Sequence, residues 1–390
     1  MTREEYHAHK AQQERRRQIE RRGYEAAKGP LDLPLLLLTL LLTGMGLLML
    51  FSASFPSAYY YESGDPAYYL KRQALFAALG LAVMFVVSKI NYQRWRGASK
   101  ILLGFAIFLL ILVIIPHNPL AQTRNNATRW LGTQTISFQP SEIAKLAVVV
   151  FFADSISKKR DKMQTLRFGV IPYAAVLGVI SVLMLLEPHL SGTILILGIG
   201  IVMMIVGGIK AWLVGLYVKL VESGIIQYGA SRIQMWHDPW IDAADKGYQM
   251  CQSLISIGSG GLLGVGLGKS RQKFLFLPEE HNDFIFAVVC EELGLIGACV
   301  VMLIFALLVL RGFWVALHAR DRFGSLLAVG VTTQISLQVF LNIAVVTGLI
   351  PATGISLPFF SYGGTALALQ LTEIGIVLSV SRQIPAPRAG

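Results

Sequence analysis

The chain has 390 residues, of which 54% are hydrophobic and only 15% are charged, and its mean hydropathy is +0.58. This composition excludes an ordinary soluble domain and predicts a polytopic membrane protein. The net charge of +11 does not indicate nucleic-acid binding, because the basic residues lie in short segments between apolar spans, and the cysteines and histidines lack the spacing of a disulfide framework or a zinc site.

The N-terminal segment, residues 1–30, is polar and contains Arg15-Arg16-Arg17 and Arg21-Arg22 among several glutamates. The apolar span that follows, near 33–53, is too long for the hydrophobic region of a signal peptide and lacks a convincing cleavage site. We therefore interpret this span as a permanent helix and predict that residues 1–30 form a basic cytoplasmic tail.

About ten apolar stretches approach the roughly 20 residues that a helix needs to cross a bilayer. They lie near 33–53, 72–90, 101–116, 140–156, 168–186, 190–207, 210–228, 283–310, 323–348 and 360–381. With cytoplasmic termini, this number places every basic segment inside, as the positive-inside rule requires, whereas an odd number would break the pattern. The sequence thus predicts an all-α protein with one membrane domain, 31–382, and a cytoplasmic tail, 383–390.

Basic residues at the outer ends of two spans are candidates for binding an anion. Lys71 and Arg72 begin the second span on the outer side, against the positive-inside trend. They either anchor lipid headgroups or supply a cation to a bound anion. In the next outer loop, Arg129 is a weaker candidate, and the adjacent Trp130 is equally explained as an interface residue.

The fourth span begins with Phe-Gln-Pro-Ser-Glu-Ile-Ala-Lys at 138–145. Pro140 suits the first turn of a helix, where free N–H groups and the helix dipole favour an anion. Glu142 and Lys145 are three residues apart and share a helix face. Two interpretations remain open: an internal ion pair, or a Lys145 that helps to bind a phosphate group at the outer surface.

The longest predicted outer loop, 229–282, connects the seventh and eighth spans. Connections of this length are usually functional or disordered, and its aromatic and apolar residues favour order on the membrane surface. Within it, 258–270 is rich in glycine and ends in Gly-Lys-Ser, but Leu263 stands where a P-loop requires glycine. We interpret 258–270 as a flexible surface segment that lets the backbone approach a substrate.

The densest acidic cluster of the chain, 273–286, lies where this loop meets the eighth span. Asp283 is predicted at the boundary between water and lipid. It is either a catalytic carboxylate or a first-turn acid favoured by the helix dipole, with His281 or Asn282 near the cap. The sequence pattern alone supports both interpretations.

The neighbouring acids have different expected roles. We interpret Glu279 and Glu280 as solvated loop acids. Glu291 and Glu292 lie about two turns further along the helix, where charges are costly, and we expect a structural ion pair or hydrogen bonds there. Further on, the segment 351–365 contains helix-breaking proline and glycine residues. It either lines the same outer cavity or simply caps the last helix.

Several of these motifs together, in this order, resemble the SEDS family of shape, elongation, division and sporulation proteins, whose members include FtsW, RodA and SpoVE. The matching segments extend over almost the whole chain except its N-terminal tail. They are Arg129-Trp130, 138–142 with Lys145, 247–249, 258–261, 277–286, 291–294, 357–359 and 361–364. One such motif would be weak evidence, but the ordered set is specific.

The resemblance implies a ten-helix peptidoglycan glycosyltransferase that polymerises lipid II into nascent glycan at the outer face of the bacterial cytoplasmic membrane. It implies inverting transfer with release of undecaprenyl pyrophosphate. The implied partners are a class B penicillin-binding protein and other membrane proteins of the divisome or elongasome, without nucleic acid. The segments 266–270 and 276–278 are more similar to the division branch than to the elongation branch, although a role in elongation or sporulation remains an alternative.

The resemblance also assigns roles to individual residues. The essential aspartate of the family falls on Asp283, which is the expected base. Lys145 and Arg72, or a divalent cation such as Mg²⁺ or Mn²⁺, are expected to stabilise the leaving pyrophosphate. The other expected substrate-binding residues are Glu142, Arg129, His281 and Ser361.

Departures from the family pattern and competing functions define what has to be tested. His189 stands where family members often have aspartate, so no acid role is transferred to it, and Asn282 and Thr365 replace a common threonine and serine. A lipid II flippase and a scaffold that only recruits a transpeptidase are the alternative functions. The clustering of polar residues at the outer surface, without inverted repeats of broken helices, favours the polymerase over a transporter.

Overall fold

The computed structural model describes residues 29–116, 118–124, 127–133, 137–159, 162–209 and 236–384. The helices are α1 Leu33–Tyr61, α2 Tyr68–Lys89, α3 Gln93–Ile114, α4 Pro140–Lys158, α5 Ile171–Leu186, α6 Leu190–Val206, α7 Tyr248–Gly260, α8 Ile285–His318, α9 Arg322–Val346 and α10 Gly364–Ser381. The strands are β1 Ala121–Arg124, β2 Ala127–Gly132 and β3 Ser137–Phe138. The predicted seventh span, 210–228, and most of both predicted tails lie outside the described residues.

Seven helices in the described ranges are long and apolar enough to cross a membrane. They are α1, α2, α3, α5 together with the π-helical turn Leu166–Val170 that precedes it, α8, α9 and α10. The predicted spans near 140–156 and 190–207 correspond to α4, with 19 residues, and to the shorter apolar helix α6, with 17 residues. The chain is therefore a mostly helical, multi-pass membrane protein.

Helix α4 lies at the centre of the bundle, where it packs against α3, α6 and α9. Its residues are buried on every side, from Pro140 at its start to Ile156 near its end. A helix that is buried all round has no lipid-facing stripe, so it can carry charged residues that a lipid-exposed span would not. As a result, Glu142 and Lys145 at its first turns point into the protein interior.

Helices α2 and α10 pack closely against each other because both carry glycine at the contact. A Cβ at Gly80 would lie 2.9 Å from the Cα of Ala368, and one at Gly375 would lie 2.8 Å from the backbone oxygen of Met84. Small residues allow membrane helices to approach in this way. The contact brings the start of α2 next to the irregular segment that precedes α10.

The loop between α3 and α4 forms a three-stranded antiparallel sheet in the order β1-β2-β3. The prediction of an all-α protein did not anticipate it. The strands have only four, six and two residues, which is too short for a clear alternating pattern. Their stability comes instead from tertiary packing, since Leu131 is buried against Leu109 and Val113 of α3.

Helix α8 is broken at Gly294, which has φ 67° and ψ −172°. The segment 261–266 runs alongside this break and forms four backbone hydrogen bonds with residues 291–296. The prediction of a flexible surface segment at 258–270 holds only in part: most of 261–269 is exposed, but residues 258–260 belong to α7, Ser270 is fully buried and the backbone is hydrogen-bonded to α8. Irregular backbone at membrane depth requires such partners from the protein.

Candidate active site

The candidate base Asp283 lies in the connection between the long loop and α8. The helix begins at Ile285 with Phe284 as its N-cap, so Asp283 lies outside the first helical turn. This geometry does not support the alternative prediction of a first-turn acid that stabilises the helix dipole. The side chain of Asp283 is half-buried, next to α9 and the segment 351–363.

Two contacts fix the position of Asp283. The side-chain amide of Asn342 donates hydrogen bonds of 2.7 Å to the backbone oxygens of both Asp283 and Ile355, so one α9 side chain ties two loops together. Gly354, with φ 71°, lies so close that a Cβ there would be 3.1 Å from Asp283 Oδ2. Glycine therefore both adopts this backbone conformation without strain and leaves room for the carboxylate.

Burial raises the pKa of Asp283 to about 6, and the carboxylate of Glu279 acts in the same direction. Electrostatic interactions with Arg129 and His281 lower this pKa but do not offset the effect of burial. A carboxyl group with such a pKa is mostly ionised at neutral pH and is still basic enough to accept a proton efficiently. Its chemistry suits the role of a general base.

His281 and Ser361 hold the loop before α8 in place. Ser361 Oγ donates a 2.7 Å hydrogen bond to the backbone oxygen of Asn282 and accepts one of 2.7 Å from the backbone N–H of Leu357. The backbone N–H of Tyr362 donates to the backbone oxygen of His281 at 2.9 Å. The hydroxyl group of Ser361 thus both donates and accepts a hydrogen bond, and each bond holds a loop backbone.

Arg72 lies on the first turns of α2, and its guanidinium group stacks 4.6 Å above the ring of Tyr68. The next residues of the same helix reach the loop before α8, because the ring of Tyr69 stacks on His281 at 4.6 Å. Gln73 was not predicted as a site residue, yet its amide exchanges hydrogen bonds of 3.1 Å with the backbone of Ser361 and Gly363. The start of α2 therefore supports the wall of the candidate site.

Arg129 has a more central position than its weak sequence signal indicated. From β2 it donates to the backbone oxygens of Glu187, at 3.3 Å, and of Pro188 in the turn between α5 and α6. Its positive charge also lowers the pKa of Asp283, Glu187 and His189. This guanidinium group thus lies within electrostatic range of both the candidate base and the α5–α6 turn.

Glu187 and His189 form a buried titratable pair that the sequence analysis did not identify as a site. Burial raises the pKa of Glu187 to about 8 and lowers the pKa of His189 to about 3, so both groups are mainly neutral at pH 7. The turn also lines a cavity of about 400 Å³ between the end of α3 and the sheet. A hint was present in the sequence, because both residues interrupt a strongly apolar stretch.

Glu142 and Lys145 form an ion pair of 2.7 Å in which both side chains are almost completely buried. This contact agrees with the structural interpretation of the two residues. Lys145 also lies within electrostatic range of His189 and of Glu373 on α10, whose carboxylate accepts hydrogen bonds of 2.8 and 2.9 Å from the amide of Gln334. The pair therefore belongs to a buried polar cluster behind the α5–α6 turn.

The predicted structural role of Glu291 and Glu292 is confirmed. Glu292 forms a 2.9 Å ion pair with Lys273 and accepts hydrogen bonds of 2.7 Å from Ser52 of α1, in a fully buried position. Glu291 accepts a 2.6 Å hydrogen bond from Ser270. By contrast, Glu280 is buried beside His281, at 3.3 Å, so the prediction of a solvated acid is wrong for that residue.

The predicted site residues thus fall into two groups. Those that surround the connection before α8, or contact it through their neighbours, are Asp283, His281, Ser361, Arg129 and Arg72. Glu142 and Lys145 lie in the buried cluster, and Arg129 is the residue that interacts electrostatically with both regions. The catalytic and substrate-binding roles of all seven residues stay predictions.

The sequence of this chain is similar to those of proteins with established names. A family model described as cell cycle protein, for FtsW, RodA and SpoVE, matches residues 33–385. Stage V sporulation protein E of Bacillus subtilis is 43% identical over 359 residues, which cover 90% of this chain and 97% of that protein. A protein named probable peptidoglycan glycosyltransferase FtsW, from Geobacter sulfurreducens, is 42% identical over 90% of this chain and 95% of its own length.

Solved structures show the same fold over nearly the full chain. A structure described as the structural coordination of polymerization and crosslinking by a peptidoglycan synthase complex aligns with TM-score 0.75 and 28% identity, covering 90% of this chain and 98% of the other. The rod shape determining protein RodA of Thermus thermophilus aligns with TM-score 0.68 and 27% identity, covering 92% and 99%. The chain therefore belongs to the FtsW, RodA and SpoVE family of cell cycle proteins.

Proposed function

We propose that the chain is a peptidoglycan glycosyltransferase that polymerises lipid II into glycan strands for the division septum, at the outer face of the cytoplasmic membrane. The observation that carries this proposal is the half-buried Asp283, whose pKa of about 6 suits a general base. The name of the similar Geobacter protein, probable peptidoglycan glycosyltransferase FtsW, supports the same activity.

In the proposed reaction the 4-hydroxyl group of the acceptor lipid II attacks the anomeric carbon of the lipid-linked donor glycan. Asp283 accepts the hydroxyl proton while the bond from the anomeric carbon to the pyrophosphate oxygen breaks. One displacement converts an α-linked donor into a β-linked product, so the configuration is inverted. A positioned base accelerates such a step by about 10²–10⁴-fold.

The leaving undecaprenyl pyrophosphate requires positive charge. Arg129 lies within electrostatic range of Asp283, and Arg72 lies on the helix that supports the loop. We retain Lys145 as a third cation, although its charge is balanced by Glu142 at 2.7 Å. It would contribute most when substrate binding loosens that pair.

A divalent cation, Mg²⁺ or Mn²⁺, was expected as a further source of positive charge. Within the described ranges, no group of three or more histidine, cysteine, aspartate or glutamate side chains could hold a metal ion. The part of the chain that the structure describes thus contains no such cluster, and no step of the proposed reaction is assigned to a cation.

We propose ten spans with both termini in the cytoplasm, and contacts between helix ends support this topology. Arg311 near the end of α8 pairs with Asp32 before α1, at 2.9 Å, so these two ends share one face. Arg322 at the start of α9 binds the backbone oxygen of Gly207, whereas Trp236 binds that of Gly348 at the opposite end of α9. These two contacts lie at opposite ends of α9, which supports the proposal of a seventh span at 210–228.

In this arrangement the loop 229–282 is extracytoplasmic, 31–382 forms one membrane domain, and 1–30 and 383–390 are cytoplasmic. The proposed partner is a class B penicillin-binding protein, together with other divisome proteins. This proposal is supported by the similarity to a structure whose description couples polymerization with crosslinking in a peptidoglycan synthase complex.

Reconstitution with lipid II distinguishes the proposed function from its alternatives. Purified protein in liposomes should convert lipid II into glycan strands, alone or together with a class B penicillin-binding protein, and Asp283→Asn should not. Translocated lipid without glycan would instead identify a flippase. The absence of both, with correctly folded protein and partner present, would indicate a scaffold.

The process that the enzyme serves has one specific alternative. The 43% identity to stage V sporulation protein E favours sporulation as the second candidate, while elongation is the third. A fluorescent fusion should concentrate at the division septum of growing cells if the proposed role is correct. Localisation only in sporulating cells, or along the side wall, would support the alternatives.

A further inference from the structure

The break in α8 is filled by a segment of the preceding loop. Two backbone N–H groups of the segment 261–266 donate to carbonyl groups before the break, and two of its carbonyl groups accept from N–H groups after it. The bonds are Val265 to Glu291 at 2.9 Å, Gly266 to Glu292 at 3.1 Å, Leu295 to Gly261 at 2.9 Å and Ile296 to Leu262 at 3.2 Å. The segment therefore has a defined position along α8.

Glycine and buried charges keep the segment in this position. Gly264 and Gly294 approach so closely that a Cβ at Gly264 would lie 2.7 Å from the backbone nitrogen of Gly294. On the protein side, Lys273 pairs with Glu292 at 2.9 Å, in a site with no solvent exposure of the carboxylate. The segment is thus fixed at both ends and cannot move away from α8 without leaving these groups unpaired.

The depth of the segment follows from the length of α8. Arg311, which is half-buried and paired with Asp32, marks one membrane boundary. Gly294 lies about 17 residues before it, which is about 26 Å along a helix that rises 1.5 Å per residue. The hydrocarbon layer is about 30 Å thick. The segment 261–266 therefore lies just inside the opposite boundary of the hydrocarbon layer, rather than above it.

The side chains that the segment presents outward are large and apolar. Leu262 and Leu263 are 67% and 79% exposed, and Leu267 is 60% exposed. They adjoin Leu295 and Ile296, which belong to the exposed apolar face of α8. Large exposed apolar patches of this kind mark contact with a membrane or a partner, and here the patch continues the exposed apolar face of the membrane-spanning helix α8.

Two exposed cations follow the apolar residues directly. Lys269 and Arg271 are exposed. The backbone N–H groups of Ser270 and Arg271 donate to the carboxylates of Glu292 and Glu291, so this stretch lies on the side of Gly294 that is farther from Arg311. Basic side chains at this level bind lipid phosphate groups, while the apolar parts of their side chains remain in the interface. The order of apolar and basic residues thus matches the order of acyl chains and headgroups.

We infer that residues 261–271 form a wedge that inserts into one leaflet of the membrane. In this wedge, Leu262, Leu263 and Leu267 contact acyl chains, and Lys269 and Arg271 bind headgroup phosphates. Its occupant is phospholipid, because the patch is continuous with the lipid-facing surface of α8. The inference does not depend on the proposed enzymatic activity, and under the proposed topology the leaflet is the outer one.

Spin labelling measures the depth of the wedge. In a Cys299→Ser background, whose other cysteines are buried, a nitroxide is attached through Leu263→Cys in protein reconstituted into phosphatidylcholine vesicles. Two labels serve as references. The label at Leu303→Cys lies on the exposed apolar face of α8 and represents exposure to lipid, and the label at Lys246→Cys is exposed in the loop and represents exposure to water. For each label, the collision rate of the nitroxide with oxygen is then compared with its collision rate with a water-soluble nickel chelate.

The label at Leu263→Cys should have an oxygen accessibility above its nickel accessibility, with a ratio between those of Leu303→Cys, deep in the hydrocarbon layer, and Lys246→Cys. Values that match Lys246→Cys would overturn the inference, as would protection from both reagents, which would indicate another protein surface. If Leu263→Cys does not fold, Leu262→Cys provides the same comparison.

A second experiment measures the contact between the two basic residues and lipid headgroups. Spin-labelled phosphatidylglycerol in phosphatidylcholine vesicles should show a motionally restricted fraction, and the double variant Lys269→Ala with Arg271→Ala should reduce this fraction by at least about twofold. Lys246→Ala, the loss of an exposed cation outside the wedge, is the matched control. An equal fraction in all three proteins would exclude the proposed phosphate contacts.

Discussion

Replacing Asp283 by asparagine tests the proposed base with the smallest possible change of shape. The contacts that position this residue involve its backbone oxygen, which accepts from Asn342 at 2.7 Å. The amide also has nearly the volume of the carboxylate, so the close approach of Gly354 is preserved. The variant should therefore keep the loop geometry and remove only the proton acceptor.

The expected loss can be estimated from the role and the pKa of the carboxylate. A positioned base contributes about 10²–10⁴-fold, or about 3–5 kcal/mol of the activation barrier. With a pKa of about 6, the wild-type rate should be nearly constant above pH 7 and fall about tenfold per pH unit well below 6, as the ionised fraction decreases. The asparagine variant should lack this limb of the pH profile.

The same pKa predicts that stability changes with pH in the opposite direction to the reaction rate. Because folding raises the pKa of Asp283 from 3.8 to about 6, the folded state favours the protonated form. The stabilisation relative to the unfolded chain is complete below about pH 3.8 and is lost as the pH rises through about 6. Asp283→Asn should therefore unfold at an equal or higher temperature than wild type at pH 8.

The decisive assay is glycan formation from lipid II by reconstituted protein, with thermal unfolding measured in parallel. Asp283→Glu should recover only partial activity, since the extra methylene displaces the carboxylate, and Glu279→Gln is the control for a neighbouring acid. Near-normal glycan from Asp283→Asn would refute the role as base. A reduced unfolding temperature that accounts for the lost activity would indicate a structural role instead.

Three further changes test other parts of the molecule. Lys145→Ala should reduce turnover of lipid II well beyond the loss from the exposed Lys71→Ala, whereas normal turnover and affinity would limit Lys145 to its ion pair. Glu292→Gln should lower the free energy of unfolding by about 3–5 kcal/mol, because it leaves Lys273 buried without its counter-charge, and calorimetry measures this loss. Deletion of residues 1–28 should leave polymerisation in vitro largely intact, and complete loss in correctly inserted protein would contradict the prediction.

Seven spans within the described residues could be predicted from the sequence, because a lipid-facing helix needs only length and apolar composition. A structural ion pair or hydrogen bonds were also expected for Glu292, because a charge at that depth requires compensation. Its partner Lys273 was not predictable, because the two residues meet only after the loop folds back on the break at Gly294. The hydrophobic periodicity of the sequence carries no information about how the loop folds back on α8.

The site was predicted unevenly. Asp283 was identified from a local motif, but the importance of Arg129 depends on a sheet too short to leave a pattern and on the packing of β2 against the α5–α6 turn. Glu187 was missed because a single acid at a turn is usually solvated, whereas here it is 2% exposed. Both residues acquire their electrostatic properties from elements distant in sequence, and no local window contains that information.

The residues that hold the loop before α8 in place follow from a physical constraint on backbone groups at the membrane boundary. Backbone groups in an irregular segment cannot rely on bulk water at this depth and must find partners in the protein. Ser361 and Asn342 bind backbone oxygens on both sides of the candidate base, and Gln73 binds the backbone beyond Ser361. Polar side chains on apolar helices therefore mark where irregular backbone must be satisfied. In this protein they converge on the half-buried Asp283, and a general base requires such positioning as much as a suitable pKa.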